Sequence, residues 1–244
     1  MNEFNKKGYF CKNNFISKQD IKNLKAEIIR LIDNPEVIIY SDRKSNLRRM
    51  ERFTFSSELM RGLNEKIIKF LKLELGNNYL LFKDKVNFKP SGGEGFYAHY
   101  DGIFEFISEK GNKKKGWYEY TDHFITVFLA LDDFTVENGA LQIAPRHSGT
   151  FSELLLNTKC DGSPDLIPEV ESSCDFENIL IDSGDICIFD NKSPHKSSPN
   201  RSRSERGSIY FTYTLSSAGN LYKRYFEDKD SSKNLNKSLT GEQS

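Results

Sequence analysis

The chain has 244 residues, with 35 basic and 35 acidic side chains and a formal net charge of zero. This balance argues against binding to nucleic acid or to an anionic membrane surface. No apolar run reaches the roughly 18 residues of a membrane span, and the N-terminus lacks the apolar centre of a signal peptide. The four cysteines form no Cys-x-x-Cys pair, so we expect free thiols in the cytoplasm.

Length and pattern predict a single domain at residues 1–230, followed by a disordered polar tail at 231–244. Within this domain we expect a helical flank at about 1–78 and a β-rich core at about 79–216. The first helix begins at Ser17, a candidate N-cap, and the second is predicted for 58–75, where apolar residues recur at helical spacing.

The core pattern changes to short strands separated by Gly, Pro and Asn turns. Residues 80–89 alternate between apolar and polar, 122–133 form a long apolar strand, and Asn138-Gly139 is a turn pair. The last strand is predicted for 206–215. Helices followed by about eight short strands predict a mainly β fold with flanking helices (α+β), either a β-sandwich or a jelly roll. We expect the jelly roll, a cupin-like double-stranded β-helix.

A histidine and a carboxylate lie two residues apart at His99-Tyr100-Asp101. In a strand, His99 and Asp101 project from the same face. A third ligand could come from His147 or His195, and two imidazoles with one carboxylate suit a non-heme Fe(II) site with open positions for O2. The simpler interpretation is a solvated pair near a strand end, because one short motif is weak evidence.

Four short segments then occur in a fixed order. They are Lys85–Pro90, His99–Asp101, Glu137–His147, and a stretch from Ser183 through His195 to Arg206. Together they resemble the phytanoyl-CoA dioxygenase family of Fe(II)/2-oxoglutarate oxygenases, over about residues 8–229. The resemblance implies a dioxygenase that uses Fe(II), 2-oxoglutarate and O2, with His99, Asp101 and His195 as the iron ligands.

The resemblance also implies a 2-oxoglutarate site. Arg206, eleven residues after His195, matches the arginine that binds the distal carboxylate, to which a planar guanidinium can donate two parallel hydrogen bonds. Ser197, Asn87 and Thr126 are the further expected cofactor contacts. Halogenating relatives have a small residue in place of the metal carboxylate, so the carboxylate of this chain implies hydroxylation or a related oxidation.

Two basic segments raise the question of the substrate's charge. They contain Arg43, Lys44, Arg48, Arg49 and Arg52 before the core, and Lys113, Lys114 and Lys115 after the metal motif. Such clusters are usually solvated surface, and the alternative is a basic lip that contacts an anion. Arg49 and Arg52 are the candidate substrate contacts. Tyr100 either shapes the pocket or packs behind it.

The sequence therefore predicts hydroxylation of an unactivated C–H bond in a small polar metabolite, anionic or zwitterionic, with release of succinate and CO2. An amino acid, an aminophosphonate and a natural-product intermediate are all compatible. The alternatives are a peptide or protein hydroxylase and a non-catalytic 2-oxoglutarate-binding module, and a complete ligand set argues against the latter. We expect a monomer or homodimer with no nucleic-acid or membrane partner.

Overall fold

The computed structural model describes residues 3–42, 46–108 and 111–230. The expected tail and the basic residues Arg43 and Lys44 lie outside these ranges. The α-helices are α1 (Glu3–Lys7), α2 (Lys18–Leu31), α3 (Glu58–Leu75), α4 (Phe151–Leu155), α5 (Pro168–Ser173) and α6 (Tyr222–Asp230). The strands are β1 (Tyr9–Lys12), β2 (Ile38–Ser41), β3 (Leu47–Glu51), β4 (Tyr79–Lys89), β5 (Phe96–His99), β6 (Phe106–Ile107), β7 (Lys113–Lys114), β8 (Ile125–Ala130), β9 (Leu141–Ile143), β10 (Glu177–Asn178), β11 (Ile186–Asp190), β12 (His195–Ser197) and β13 (Arg206–Leu215).

The two long N-terminal helices form where the sequence predicts them. Ser17 caps α2 by accepting a hydrogen bond from the backbone N–H of Asp20. Ser57 caps α3 in the same way, and Gly76 ends that helix in the left-handed region at φ 76°. Their apolar faces are buried in the main hydrophobic core, so these helices form a layer against one face of the large sheet.

Two antiparallel sheets form the jelly roll. The large sheet has the order β1-β11-β8-β13-β4-β3-β2, and the small sheet has the order β10-β9-β12-β5. Strands far apart in the chain are therefore neighbours: β12 pairs with β5 in the small sheet, and β13 pairs with β4 in the large one. The predicted fold class is confirmed. Within the described ranges, no helix combines the length and apolarity needed to cross a bilayer.

The N-terminal flank contains strands as well as helices. The strands β1, β2 and β3 extend the large sheet at its two edges. The basic stretch before the core is partly strand: β3 pairs with β4, with Arg49 opposite Asn87. A short strand with many charged residues carries little periodic signal, and pairing with β4 decides its conformation.

The orientation of β4 determines what lines the space between the sheets. Phe82 and Val86 on one face are fully buried in the helix-side core. Because side chains alternate along a strand, Lys83, Lys85 and Lys89 project from the other face, toward the small sheet. The lysine face of this strand therefore borders an internal cavity rather than solvent.

Candidate active site

Three metal-binding side chains meet at the mouth of the jelly roll. His99 at the end of β5 lies directly opposite His195 at the start of β12, and Asp101 follows β5. One ligand atom from each lies within 4.8 Å of the others, the only such group found in the described part of the chain. The sheet pairing thus brings together residues that are 96 positions apart.

Hydrogen bonds orient both imidazole rings. The Nδ1 of His99 lies 2.7 Å from the carbonyl oxygen of Tyr97, and the Nδ1 of His195 lies 3.1 Å from that of Ser193. Burial lowers the pKa of both histidines, that of His195 to about 3. A neutral ring that donates through Nδ1 keeps the Nε2 lone pair for a metal ion.

Asp101 is held on both its backbone and its side chain. Its N–H donates to the Asn191 carbonyl at 3.1 Å, and Asn191 Nδ2 donates back to the Asp101 carbonyl at 3.2 Å. The Thr126 hydroxyl donates to the carboxylate at 3.0 Å. Burial opposes ionisation, but electrostatic attraction to the His195 ring and to the Lys85 ammonium outweighs it and lowers the pKa of Asp101. The carboxylate is therefore ionised and ready to ligate, and the structure places Thr126 beside it as an orienting group.

The residue after the metal motif has to be glycine. Gly102 has φ 76°, and a Cβ there would come within 2.5 Å of the Trp117 ring. Trp117 therefore packs directly on the metal segment, and its Nε1 is buried without a hydrogen-bond partner. The side-chain Oδ1 of Asn87, on the facing wall of the same cavity, is also buried without a hydrogen-bond partner.

Two cations meet a hydroxyl at one end of the cavity. Arg206 lies opposite Lys89 in the β13–β4 pair. The Lys89 ammonium donates to Ser197 Oγ at 2.8 Å, and the Arg206 guanidinium lies over the Phe134 ring at 4.0 Å and donates to the Asn138 carbonyl at 3.2 Å. Burial, reinforced by the charge of Arg206, lowers the pKa of Lys89 to about 6. A carboxylate would relieve this repulsion, so this end fits one of the two carboxylates of 2-oxoglutarate.

Lys83 and Lys85 carry two further cations into the cavity, and the sequence analysis did not identify them. The Lys83 ammonium lies 4.9 Å from the centre of a Trp117 ring and 5.4 Å from that of Tyr225, and the Lys85 ammonium lies 4.7 Å from that of Tyr210. Burial lowers their pKa values, to about 7 for Lys83 and about 8 for Lys85. Among the described residues, neither ammonium has a hydrogen-bond or ion-pair partner.

A buried ion pair supports this wall from behind. Glu51 is fully buried and pairs directly with Lys229 of helix α6. The Arg49 guanidinium, which lines the cavity, lies 3.7 Å from the same carboxylate. Burial opposes ionisation, but the charges of Lys229, Lys83 and Arg49 lower the pKa of Glu51 to about 2. Glu51 is thus ionised and already has a close cation.

The structure does not bring Arg52 to the cavity. Arg52 follows β3 at φ 60° and leaves the alternation that points Arg49 inward. Its guanidinium pairs with Asp230 at 2.6 Å and donates to the Glu36 carbonyl at 2.6 Å. The prediction of a substrate contact at this position has no support in the geometry, because the chain turns at the strand end.

The other basic and aromatic candidates are also engaged elsewhere. The ammonium of Lys113 pairs with Glu105, and that of Lys114 with Glu119. The Tyr100 ring borders the cavity, but its hydroxyl bonds His147 Nδ1 at 2.5 Å. The basic segment at β7 is thus ion-paired. Tyr100 and His147 contact each other behind the metal segment and support it.

Fold and site together define a class of protein. A jelly roll that presents two neutral imidazoles and one ionised carboxylate, with open space on one side, is typical of non-heme Fe(II) oxygenases. The buried cations at one end of the cavity fit a dicarboxylic co-substrate beside the metal. The residues present therefore fit both iron and 2-oxoglutarate.

Comparison with known proteins agrees with this class. The family model described as phytanoyl-CoA dioxygenase (PhyH) matches residues 4–208. The chain is 26% identical over 238 residues to methylphosphonate hydroxylase of Gimesia maris, covering 94% of this chain and 85% of that one. It is 28% identical over 220 residues to 2-aminoethylphosphonate dioxygenase of uncultured bacterium HF130_AEPn_1, covering 86% and 78%. The crystal structure of EctD from S. alaskensis with 2-oxoglutarate and 5-hydroxyectoine superposes with a TM-score of 0.67 at 18% identity, covering 88% and 74%.

The chain belongs to the phytanoyl-CoA dioxygenase family. The predicted class, a dioxygenase that uses Fe(II), 2-oxoglutarate and O2, is confirmed.

Proposed function

We propose that this dioxygenase hydroxylates a C–H bond of a small oxyanion, with phosphonates as the first candidates. Iron would be held by His99, Asp101 and His195. The carbonyl contacts of the two rings fix their tautomers, and the Thr126 hydroxyl fixes the carboxylate. This second set of contacts supports the assignment, because ligands with such partners are held in one orientation.

The co-substrate would lie along the wall formed by β4 and β13. Arg206 and Lys89 would bind its distal carboxylate together with the Ser197 hydroxyl, which already accepts from Lys89. Asn87, on the same wall, would complete its contacts by donating from its side-chain amide N–H. Fixed, buried donors hold a charged ligand without reorganisation, which is the advantage of a prearranged site.

Iron and 2-oxoglutarate supply the oxidising chemistry: O2 and 2-oxoglutarate give succinate and CO2, and one oxygen atom enters the substrate C–H bond. The chain's own task is to orient the reacting C–H bond of the substrate and to exclude water. Tyr100 and Phe104, both almost fully buried, and the Trp117 ring surround the metal segment with apolar surface. They keep water away from the metal segment.

The observation that carries the proposal is the excess of buried positive charge. Described basic side chains lining the cavity are Arg49, Lys83, Lys85, Lys89, Lys196 and Arg206, and the described carboxylates are Asp101 and Asp165. Lys196 pairs with Glu171 at 2.8 Å, Arg49 lies 3.7 Å from Glu51, and Asp165 pairs with Lys159 at 3.3 Å, so the excess rests on Lys83, Lys85, Lys89 and Arg206. The charges of Fe(II) and 2-oxoglutarate cancel each other, so the excess would remain. Because burial without a counter-charge lowers the pKa values of these lysines, a second anion that keeps them protonated is expected, and two relatives are named for phosphonate substrates.

The test is a substrate panel of matched size and graded charge. Iron-loaded protein with 2-oxoglutarate is offered methylphosphonate, 2-aminoethylphosphonate, a small amino acid and a neutral amide. Succinate formed above the substrate-free rate is measured. The proposal expects the phosphonates to give the largest stimulation. Preference for the amino acid or the neutral amide would contradict it.

We further propose that residues 1–230 act as one domain, supported by the N-terminal strands that complete the large sheet. A cytoplasmic monomer or homodimer acting on a small molecule, without a nucleic-acid or membrane partner, agrees with the net charge of zero and the four free cysteines.

A further inference from the structure

We infer that Lys83 and Lys85 form the binding site for the substrate's oxyanion, separate from the 2-oxoglutarate site at Arg206. The inference rests on the proposed function and names the residues that give it its substrate class. Three observations support it: the positions of these two lysines along β4, the lack of hydrogen-bond and ion-pair partners for their ammonium groups among the described residues, and the aromatic rings that hold them.

Register separates the two cationic groups. Lys89 lies opposite Arg206, whereas Lys83 lies opposite Thr212, at the other end of the cavity wall. Six residues of strand correspond to about 20 Å between backbone positions, much longer than a five-carbon dicarboxylate. One molecule of 2-oxoglutarate bound at Arg206 therefore cannot also occupy the Lys83 end.

The metal cluster lies between these two ends. Ser197, which contacts Lys89, is two residues from His195. On the other side, Thr126 contacts both Asp101 and Thr212, and Thr212 lies opposite Lys83. A substrate whose anionic group lies at Lys83 and Lys85 would approach the iron from the side opposite the distal carboxylate of 2-oxoglutarate.

Neither lysine makes a hydrogen bond or a direct ion pair among the described residues, although Lys83 acts on Glu51 and Lys85 on Asp101 through space. Glu51 already pairs directly with Lys229, so it does not require the Lys83 ammonium. Instead Lys83 lies between the rings of Trp117 and Tyr225, which attract its cation and fix its position. A buried cation that is held in place by rings but lacks an anionic partner is suited to receive one from a ligand.

The chemistry favours a tetrahedral oxyanion. Lysine binds phosphate-like oxygens as a compact point charge with three donors, and a phosphonate presents three oxygens that two ammonium groups can share. The carbon attached to phosphorus would then lie on the metal side. The predicted substrate class is thus a small C-phosphonate. Its reacting C–H bond lies on the carbon attached to phosphorus or on the next carbon.

Lys83→Met and Lys85→Met test the inference, since methionine keeps the length of the side chain and removes its charge. Methylphosphonate is titrated into each anaerobic, Fe(II)-loaded protein at saturating 2-oxoglutarate, and the heat of binding gives Kd. We expect each variant to bind methylphosphonate at least about tenfold more weakly, the usual effect of losing a hydrogen bond to a charged group, with 2-oxoglutarate affinity unchanged within about twofold. Unchanged methylphosphonate affinity, or a loss of 2-oxoglutarate affinity of the same size, would overturn the inference.

Lys196→Met is the matched control, because Lys196 also lines the cavity but its ammonium pairs with Glu171. It should bind both ligands as the wild type does. Thermal unfolding of the unliganded variants shows that they fold. Lys83→Met and Lys85→Met should stay folded, because neither ammonium makes a direct ion pair and methionine has a similar volume.

Succinate release separates this inference from the proposed function. If methylphosphonate binds to the wild type and binding weakens in both lysine variants, but no succinate forms, the anion site stands and the substrate proposal fails. If methylphosphonate is turned over and the variants bind it normally, the substrate proposal stands and the lysine site fails. If wild type binds neither methylphosphonate nor inorganic phosphate, both fail.

Discussion

The two walls of the cavity differ in the kind of charge they carry. The wall from the small sheet presents neutral imidazoles and an ionised carboxylate, at His99, His195 and Asp101. The wall from the large sheet presents cations, among them Lys83 and Arg206, with lowered pKa values. The first wall is complete in itself apart from a metal ion, and the second is not balanced without anions. Metal binding and anion binding are thus assigned to different sheets.

The largest effect is expected when a metal-binding residue of the small-sheet wall is removed. Changing His99, Asp101 or His195 to Ala should abolish stoichiometric Fe(II) binding and lower succinate formation at least about a hundredfold, because two ligands do not hold the ion. Metal analysis of each purified variant measures this.

His147→Ala is the control for that experiment, because His147 contacts Tyr100 outside the metal cluster. It should retain iron. Full iron occupancy in the His195 variant, together with loss of iron in the His147 variant, would show that the wrong histidine has been assigned.

The next effect concerns the support of the large-sheet wall. Glu51→Gln should destabilise the protein by about 3–5 kcal/mol, because it leaves Lys229 buried beside Lys83 without a counter-charge. Chemical denaturation at pH 7 measures this, and the exposed Glu65→Gln should stay within about 0.5 kcal/mol of wild type.

The effect should depend on pH in a defined direction. The folded pKa of Glu51 is about 2, below its ordinary 4.5, so its contribution is fully present above 4.5 and is lost as the pH falls from 4.5 toward 2. The difference between wild type and Glu51→Gln should therefore shrink across that window. A difference independent of pH would show that the charge of Glu51 is not what stabilises the wall.

A smaller effect should appear at the far end of the same wall. Arg206→Lys keeps the charge but cannot form two parallel hydrogen bonds, so 2-oxoglutarate binding should weaken by about 1–3 kcal/mol while iron binding is retained. Titration of 2-oxoglutarate into the anaerobic iron complex, followed by its charge-transfer absorbance, measures the affinity. Equal affinities in Arg206→Lys and in the exposed control Arg201→Lys would remove Arg206 from the co-substrate site.

The smallest effect compares two neighbouring arginines. Arg52 pairs with Asp230 near the surface, its side chain 30% exposed, so Arg52→Ala should cost at most about 1 kcal/mol of stability and leave turnover within about twofold. Arg49→Met, on the cavity wall, should lower turnover with an anionic substrate at least about tenfold. Similar activities in both variants would show that the wall does not sense substrate charge at Arg49.

The two walls also differ in how well the sequence predicts them. The histidine and carboxylate of the small sheet occur in a short local motif, and their spacing to Arg206 resembles one family, so that constellation could be found without a structure. The alternation along β4 predicts two faces of the strand, but it does not predict what each face packs against. A lysine-rich face usually meets solvent; here it meets a second sheet whose pairing depends on residues a hundred positions away. The position of Arg52 near the surface could not be predicted for a related reason, because one residue at a strand end decides between cavity and surface.

The most direct test of a divided cavity is whether both anions bind at once. Methylphosphonate is titrated into anaerobic Fe(II) protein, first without 2-oxoglutarate and then with it at saturation. The two-wall account predicts one equivalent of methylphosphonate bound in the presence of 2-oxoglutarate, with an affinity no weaker than in its absence. Competition between the two ligands, in which the apparent affinity for methylphosphonate falls as the concentration of 2-oxoglutarate rises, would contradict it.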